Sequence, residues 1–257
     1  MAISLARQSY LRKTAALAVV VAASAAGAPS PAERAPNASD YELMVLQLRT
    51  HQAQLSNLQS IEKRIELKRE LLPEYAAWVE GRLEAARQTD AGVQDDVLVT
   101  VMLWRIDVGD FDGALPLAEY ALRYKLAMPE RFSRSVACYL AEDVAEASIK
   151  LLAAKEPAPA ALSRVAELVQ GHDMPDQVKA KIHKALGYEA LRISADETAC
   201  AASGVPGAAR IFKRRAVNEL TRAYQLHSGC GVKTDLKRLE KELNMPSNDD
   251  GDETAAS

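Results

Sequence analysis

Residues 93–110 read VQDDVLVTVMLWRIDVGD and are the most apolar stretch of the chain. The β-branched residues at its start could indicate a strand, but the apolar run continues to Ile106 and is longer than a typical strand of roughly 5–6 residues. We therefore predict a buried helix that ends at Gly109. Asp95 and Asp96 stand in its first turn, where carboxylates favour the positive end of the helix dipole. Asp110 is placed to cap the next helix.

The composition extends the helical prediction to the whole chain. Of 257 residues, 48% are apolar and 26% are charged, with a formal net charge of −3, which excludes a membrane bundle and a disordered acidic chain. Alanine is abundant, and aromatic residues make up only 5%. Because alanine is the best helix former and a poor strand former, we predict an all-α fold. The three Cys, with no CxxC pair, fit a reduced intracellular setting.

Turn residues predict where the helices begin and end. Three Pro between Gly27 and Ala38 indicate a linker, after which Ser39 opens a helix. Pro73 is expected to break or restart the charged helix that begins at Ile61. Further helices are predicted over residues 142–154, 160–169, 210–226 and 232–243. Asp173 to Pro175 is read as a helix cap, and residues 198–207 are read as a loop.

The predicted organisation has four parts. Two segments, Trp104–Met128 and Ala185–Leu226, have the small residues and turns of helical hairpins and are weakly tetratricopeptide-like. The parts are residues 1–38 as a basic Ala-rich helix with a Pro-rich linker, 39–130 as a helical core and oligomerisation region, 131–245 as C-terminal helical hairpins, and 246–257 as a disordered acidic tail.

The N-terminus fits two interpretations. Arg7, Arg12 and Lys13 precede the Ala-rich run Ala15–Ala23, a pattern shared by a secretory signal and by a basic amphipathic helix. These residues alone leave both open. No later segment reaches the roughly 18 apolar residues that a membrane span needs.

Motifs for catalysis and cofactor binding are lacking in the sequence. Residues 229–234 have only a superficial likeness to a phosphate-binding loop, since Val232 replaces the Gly before Lys233. There is no HExxH and no GxSxG. Asp95 and Asp96 would lie about 17–20 Å from Asp107 and Asp110 along one helix. We therefore predict no catalytic residue, no metal site and no cofactor, and assign these carboxylates to helix capping.

Clusters of basic residues are the better functional signal. The cluster in the charged helix is interspersed with Glu, so intrahelical ion pairs are the alternative to phosphate contact. The cluster that follows residue 209 is denser and has no acid before Glu219. Both clusters and the basic N-terminus can contact phosphate. The candidate residues for binding a phosphate-bearing polyanion are Arg7, Arg12, Lys13, Lys63, Arg64, Lys68, Arg69, Arg210, Lys213, Arg214 and Arg215.

The central stretch and several shorter motifs resemble a known family. Residues 94–110 continue into Gly113-Ala114-Leu115 and Met128-Pro129, and are joined by KRELLP at 68–73, DMPD at 173–176 and GVK at 231–233. This pattern, in order over roughly residues 40–245, resembles the gpM-type terminase small subunit of temperate tailed phages. The resemblance implies recognition of a cohesive-end site on duplex viral DNA, ring-like homo-oligomers and a large ATPase and nuclease subunit as partner.

The same resemblance bears on location and on the questions that the residues leave open. It implies action in the host cytoplasm without a membrane, which favours a retained N-terminal helix over export. Although the family is often called the endonuclease subunit, we expect cutting to belong to the two-subunit enzyme. Residues Ser247–Ser257 are acidic, whereas the family has a basic tail. Residues Asp196–Gly207 resemble an insertion in the last hairpin. The alternatives are a protein-binding helical-repeat adaptor, an exported helical protein and a nuclease in its own right.

Overall fold

The computed structural model describes residues 31–130 and 132–244, with side chains from Asp40 onward. In this part of the chain there are ten α-helices and no strand, which confirms the all-α prediction. None of these helices is both long and apolar enough to cross a bilayer. The chain divides into two compact units after Asp143. The helices are α1 (Pro31–Ser56), α2 (Ile61–Thr89), α3 (Asp96–Asp107), α4 (Phe111–Arg123), α5 (Val136–Ala153), α6 (Ala161–Val169), α7 (Asp176–Ala195), α8 (Glu197–Ala202), α9 (Ala208–Leu226) and α10 (Lys233–Asn244).

Helix α3 is the centre of the first unit. All residues from Val97 to Trp104 are buried, so the predicted buried helix is confirmed. Helices α1, α2 and α4 pack around it, and the Trp104 ring meets Tyr75 of α2 edge-on at 5.8 Å. Gly109, at φ 80°, provides the left-handed residue that ends the helix, as predicted. Burial of each large apolar side chain contributes roughly 1.5–3 kcal/mol, so this helix is a major contributor to the stability of the unit.

Pro73 does not break its helix, contrary to the prediction. It lies inside α2, which runs on through it. An interior proline costs about 3 kcal/mol because it removes a backbone donor and crowds the preceding turn. Leu71, Leu72 and Tyr75 beside it are all buried, and their packing offsets that cost.

Helix α1 begins earlier than predicted. It starts at Pro31 rather than after Ser39, so the predicted linker is helical from residue 31. Proline fits a first helical turn, where the backbone N–H has no intrahelical partner. The predicted basic helix before residue 31 and the tail after residue 244 lie outside the described residues.

Helices α7 and α9 form a close antiparallel pair in the second unit. His183 of α7 contacts Glu219 of α9 at 2.8 Å, whereas Gly187, one turn further along α7, approaches the backbone of Ala216, which lies earlier in α9. A Cβ on Gly187 would stand 2.7 Å from Leu220 and 3.3 Å from the Ala216 carbonyl oxygen. Glycine at this position therefore allows the two helices to approach closely. The hairpin predicted over this region is present, and its tetratricopeptide likeness stays a prediction.

Three other boundaries differ from the predictions. The predicted loop at residues 198–207 contains the short helix α8, whose N-cap Asp196 accepts a hydrogen bond from the Ala199 N–H at 3.0 Å. Asp173 does not cap α7, because Pro175 occupies the N-cap position and no side-chain cap forms. Helix α5 also starts six residues before the predicted Glu142. The exact first and last residues of a helix are not fixed by the polar residues near its ends, so the sequence predicted these boundaries incorrectly.

Helix α10 runs antiparallel along α9. Leu236 and Leu239 pack with Leu220 in a buried cluster, and Lys213 near the start of α9 pairs with Glu242 near the end of α10 at 3.0 Å. The predicted last two helices are thus confirmed, and the end of α10 lies beside the first half of α9.

Candidate nucleic-acid interface

Helix α9 presents arginines on the face opposite to its packed side. Arg210 and Arg214 are one turn apart, and Arg215 and Arg222 are two turns apart, so each pair is aligned along the helix. All four side chains are exposed. The packed side is formed by Ala216, Leu220 and Ala223, which are buried. The outward surface of α9 is therefore basic over most of its length, and we call these four arginines the α9 arginine face.

The first three of these arginines are available to an external anion. Among the described residues, no carboxylate pairs with Arg210, Arg214 or Arg215. Arg222 makes only a hydrogen bond to Gln225 at 3.4 Å. Lys213, from the same predicted cluster, is instead paired with Glu242. Guanidinium groups without an internal carboxylate keep their charge and donors for phosphate oxygens.

The start of α9 adds to this positive surface. Its N-cap is Gly207, at φ 67°, which provides no side-chain hydrogen bond, and there is no acid in the first turn. The first backbone N–H groups of a helix carry a partial positive charge that attracts anions. Arg210 in the first turn is unfavourable for the helix itself, because its charge has the same sign as the helix N-terminus.

A groove of about 730 Å³ adjoins the α9 arginine face. Arg215 and Arg222 of α9 and Lys179 of α7 are among the residues that line it. Inside, Glu219 holds His183 at 2.8 Å. The groove is lined by acidic as well as basic residues, among them Glu167 and Asp173.

The basic cluster on α2 makes contacts within the protein, unlike the α9 arginine face. Lys68 forms an ion pair with Asp107 of α3. Arg64 donates to the Leu58 carbonyl oxygen at 2.6 Å, and Arg69 donates to the Val108 carbonyl oxygen at 3.3 Å. Lys63 is exposed. Three of the four side chains thus hold helix ends or neighbouring helices together, and their contact with DNA stays a prediction.

The carboxylates weighed as catalytic candidates have structural partners. Asp95 is buried and caps α3, and Asp110 caps α4 while pairing with Arg105. Asp107 also accepts a hydrogen bond from the Tyr139 hydroxyl at 3.1 Å. Asp96 is exposed in the first turn of α3. Across the described ranges there is no group of three or more His, Cys, Asp or Glu that could hold a metal.

The sequence prediction missed one arginine and included others that remain untested. Arg222 was not among the predicted residues because it is separated from the dense cluster. It follows Arg215 by seven residues, which indicates a shared helix face. Arg7, Arg12 and Lys13 lie outside the described residues.

Comparisons with known proteins identify the family of the chain. Residues 45–177 match the family described as phage small terminase subunit. The chain is 41% identical over 214 residues to the protein named "Terminase, endonuclease subunit" of Escherichia phage P2, an alignment covering 82% of this chain and 78% of that one. It is 25% identical over 212 residues to the "Probable terminase, endonuclease subunit" of Haemophilus phage HP1 (strain HP1c1), covering 82% and 73%. No solved structure matches the chain. Since the family match spans more than half of the chain and the phage P2 similarity covers most of both proteins, the chain belongs to the phage small terminase subunit family.

Proposed function

We propose that this chain is the DNA-recognition subunit of a phage terminase in the host cytoplasm. It binds the cohesive-end packaging site on duplex viral DNA as an oligomer and presents that site to the large ATPase and nuclease subunit. The observation that carries the proposal is the α9 arginine face, where three exposed guanidinium groups have no carboxylate partner within the described residues. Together with Arg222, these arginines span about 18 Å of helix, a length suited to successive phosphates of a DNA strand.

The DNA test compares two variants of equal charge change. In the first, Arg210, Arg214 and Arg215 are all replaced by Gln. In the control, three exposed basic residues of other helices and turns are replaced by Gln, so that net charge changes equally. These control residues are Arg49, Lys125 and Lys155.

Affinity is measured by fluorescence anisotropy with a labelled cohesive-end duplex over a range of salt concentrations. Each lost phosphate contact should reduce the log–log salt slope by about 0.9, so the first variant should lose up to about 2.7. Its affinity at low salt should fall about tenfold or more, and the control should stay near the parent protein. Equal slopes for the first variant and the parent would contradict the assignment to α9.

Oligomerisation is supported by exposed apolar side chains in the first unit. Leu43 and Leu46, one turn apart on α1, are each 61% exposed, and Ile61 at the start of α2 is 71% exposed. Large apolar residues clustered on a surface are typical of protein interfaces. We place a contact between copies on this face of α1. Replacing Leu43 and Leu46 by Lys should shift the native mass spectrum toward monomer, and replacing the exposed polar pair Gln54 and Asn57 by Lys should not.

Cleavage is assigned to the assembled two-subunit enzyme rather than to this chain alone. The reason is that Asp95, Asp107 and Asp110 are each engaged in caps or ion pairs that maintain the fold. The purified chain with cohesive-end DNA and Mg²⁺ should leave the DNA intact, and addition of the large subunit should restore cutting. Cutting by the chain alone that is lost in a folded Asp96→Asn variant would move the chemistry into this subunit. Binding to the large subunit without any binding to DNA would favour the adaptor alternative.

A further inference from the structure

The end of helix α10 lies next to the α9 arginine face. Glu242, two residues before α10 ends at Asn244, pairs with Lys213 at 3.0 Å. Lys213 is adjacent in sequence to Arg214 and three residues after Arg210, on the side of α9 nearest α10. The last described helix therefore ends beside the α9 arginine face.

The sequence that follows has the opposite charge. Residues 245–257 read MPSNDDGDETAAS, with four carboxylates at Asp249, Asp250, Asp252 and Glu253 and no basic residue. These residues lie outside the described part of the chain. Asp249 is five residues beyond Asn244, which gives it a reach of about 17 Å, and Glu253 reaches about 30 Å. The α9 arginine face is about 18 Å long.

We propose that the acidic segment Asp249–Glu253 binds the α9 arginine face of its own chain and competes there with DNA phosphates. The competition with DNA rests on the proposed function, whereas the contact between the acidic segment and the α9 arginine face does not. Two observations carry it: the Lys213–Glu242 pair that fixes the exit point of the chain, and the exposed arginines that have no carboxylate partner among the described residues. The segment would exclude weakly bound polyanions and yield to DNA that engages several subunits at once.

The expected size of the effect follows from tethering. A short tether gives an effective concentration of about 1–10 mM. If the free segment binds with a dissociation constant of about 1 mM, the tethered segment lowers the affinity for DNA by about 2- to 10-fold. High salt weakens both contacts, so the difference should shrink as salt rises.

The experiment uses the full chain with its four tail carboxylates replaced by amides: Asp249→Asn, Asp250→Asn, Asp252→Asn and Glu253→Gln. A control variant neutralises four exposed acids elsewhere, namely Glu42, Glu66, Glu70 and Glu197, each changed to Gln. The first readout is DNA affinity by anisotropy. The second needs no DNA: phenylglyoxal modification of individual arginines, followed by peptide mass spectrometry, with the exposed Arg49 as internal reference.

The tail-neutral variant should bind DNA about 2- to 10-fold more tightly than the parent protein. Its Arg210 and Arg214 should be modified faster by a similar factor, while Arg49 is unchanged. Added peptide of residues 245–257 at millimolar concentration should reverse both effects. The control variant should behave like the parent in modification rate.

The outcomes separate this inference from the proposed function. Faster modification of Arg210 and Arg214 without DNA binding by any variant supports the tail contact and contradicts DNA recognition by α9. DNA binding with no change in modification rate or affinity on tail neutralisation overturns the tail contact and leaves the proposed function intact. An equal gain in DNA affinity for the control variant shows a general charge effect, which also overturns the inference.

Discussion

Replacing Asp95 by Ala should unfold much of the first unit. The Asp95 carboxylate is fully buried and accepts three hydrogen bonds: from the Leu98 N–H at 3.0 Å, from the Trp78 indole at 3.0 Å and from the Arg82 guanidinium at 2.6 Å. Loss of the N-cap costs about 1 kcal/mol. Leaving the buried Arg82 without its partner costs about 3–5 kcal/mol. The expected loss of about 4–6 kcal/mol is a large share of the roughly 5–15 kcal/mol that stabilises a typical domain.

Tryptophan fluorescence during urea unfolding measures this loss selectively. The two tryptophans of the chain, Trp78 and Trp104, are both buried in the first unit, so their emission reports on that unit alone. The control is Asp96→Ala, because Asp96 is exposed in the first turn of α3 and its removal should cost only about 0.3–1 kcal/mol.

A double variant tests the reason for the loss. Changing Arg82 to Met together with Asp95→Ala removes the stranded charge, so the double variant should be more stable than Asp95→Ala alone by about 2 kcal/mol. A loss for Asp95→Ala no larger than for Asp96→Ala would refute the reasoning. So would a double variant whose loss is the sum of the two single losses.

Three further changes test particular contacts. Gly187→Ala should destabilise the second unit by about 1–3 kcal/mol, because the new methyl group lies 2.7 Å from a side chain of α9; faster amide hydrogen exchange in α9 would show it. Lys155→Gly should stabilise the second unit by about 0.5–1 kcal/mol, because Lys155, two residues after α5 ends, has a φ of 65°, and slower hydrogen exchange in α5 is the measure. Lys68→Glu should destabilise the first unit by about 1–3 kcal/mol through repulsion from Asp107, whereas the exposed Lys63→Glu should have little effect on the fluorescence-detected unfolding midpoint.

The sequence by itself determined those elements whose causes are local. The apolar run from Val97 to Ile106 is too long for a strand, and Gly109 supplies the left-handed residue that ends it. Both predictions hold in the structure because helix length and helix termination depend on residues within a few positions of each other. The density of arginine after residue 209 is likewise visible without coordinates.

Only the tertiary structure decided which helix boundaries and which charges matter. Pro73 remains inside α2 because buried neighbours offset its cost, and their burial is set by α3 and not by the local sequence. Lys68 and Arg214 are equivalent as sequence features, each in a basic cluster on a helix. Lys68 is paired with Asp107, 39 residues away, while Arg214 faces outward with no such partner among the described residues. A charge is available for binding only when folding brings no opposite charge to it, and that depends on contacts between residues distant in the chain.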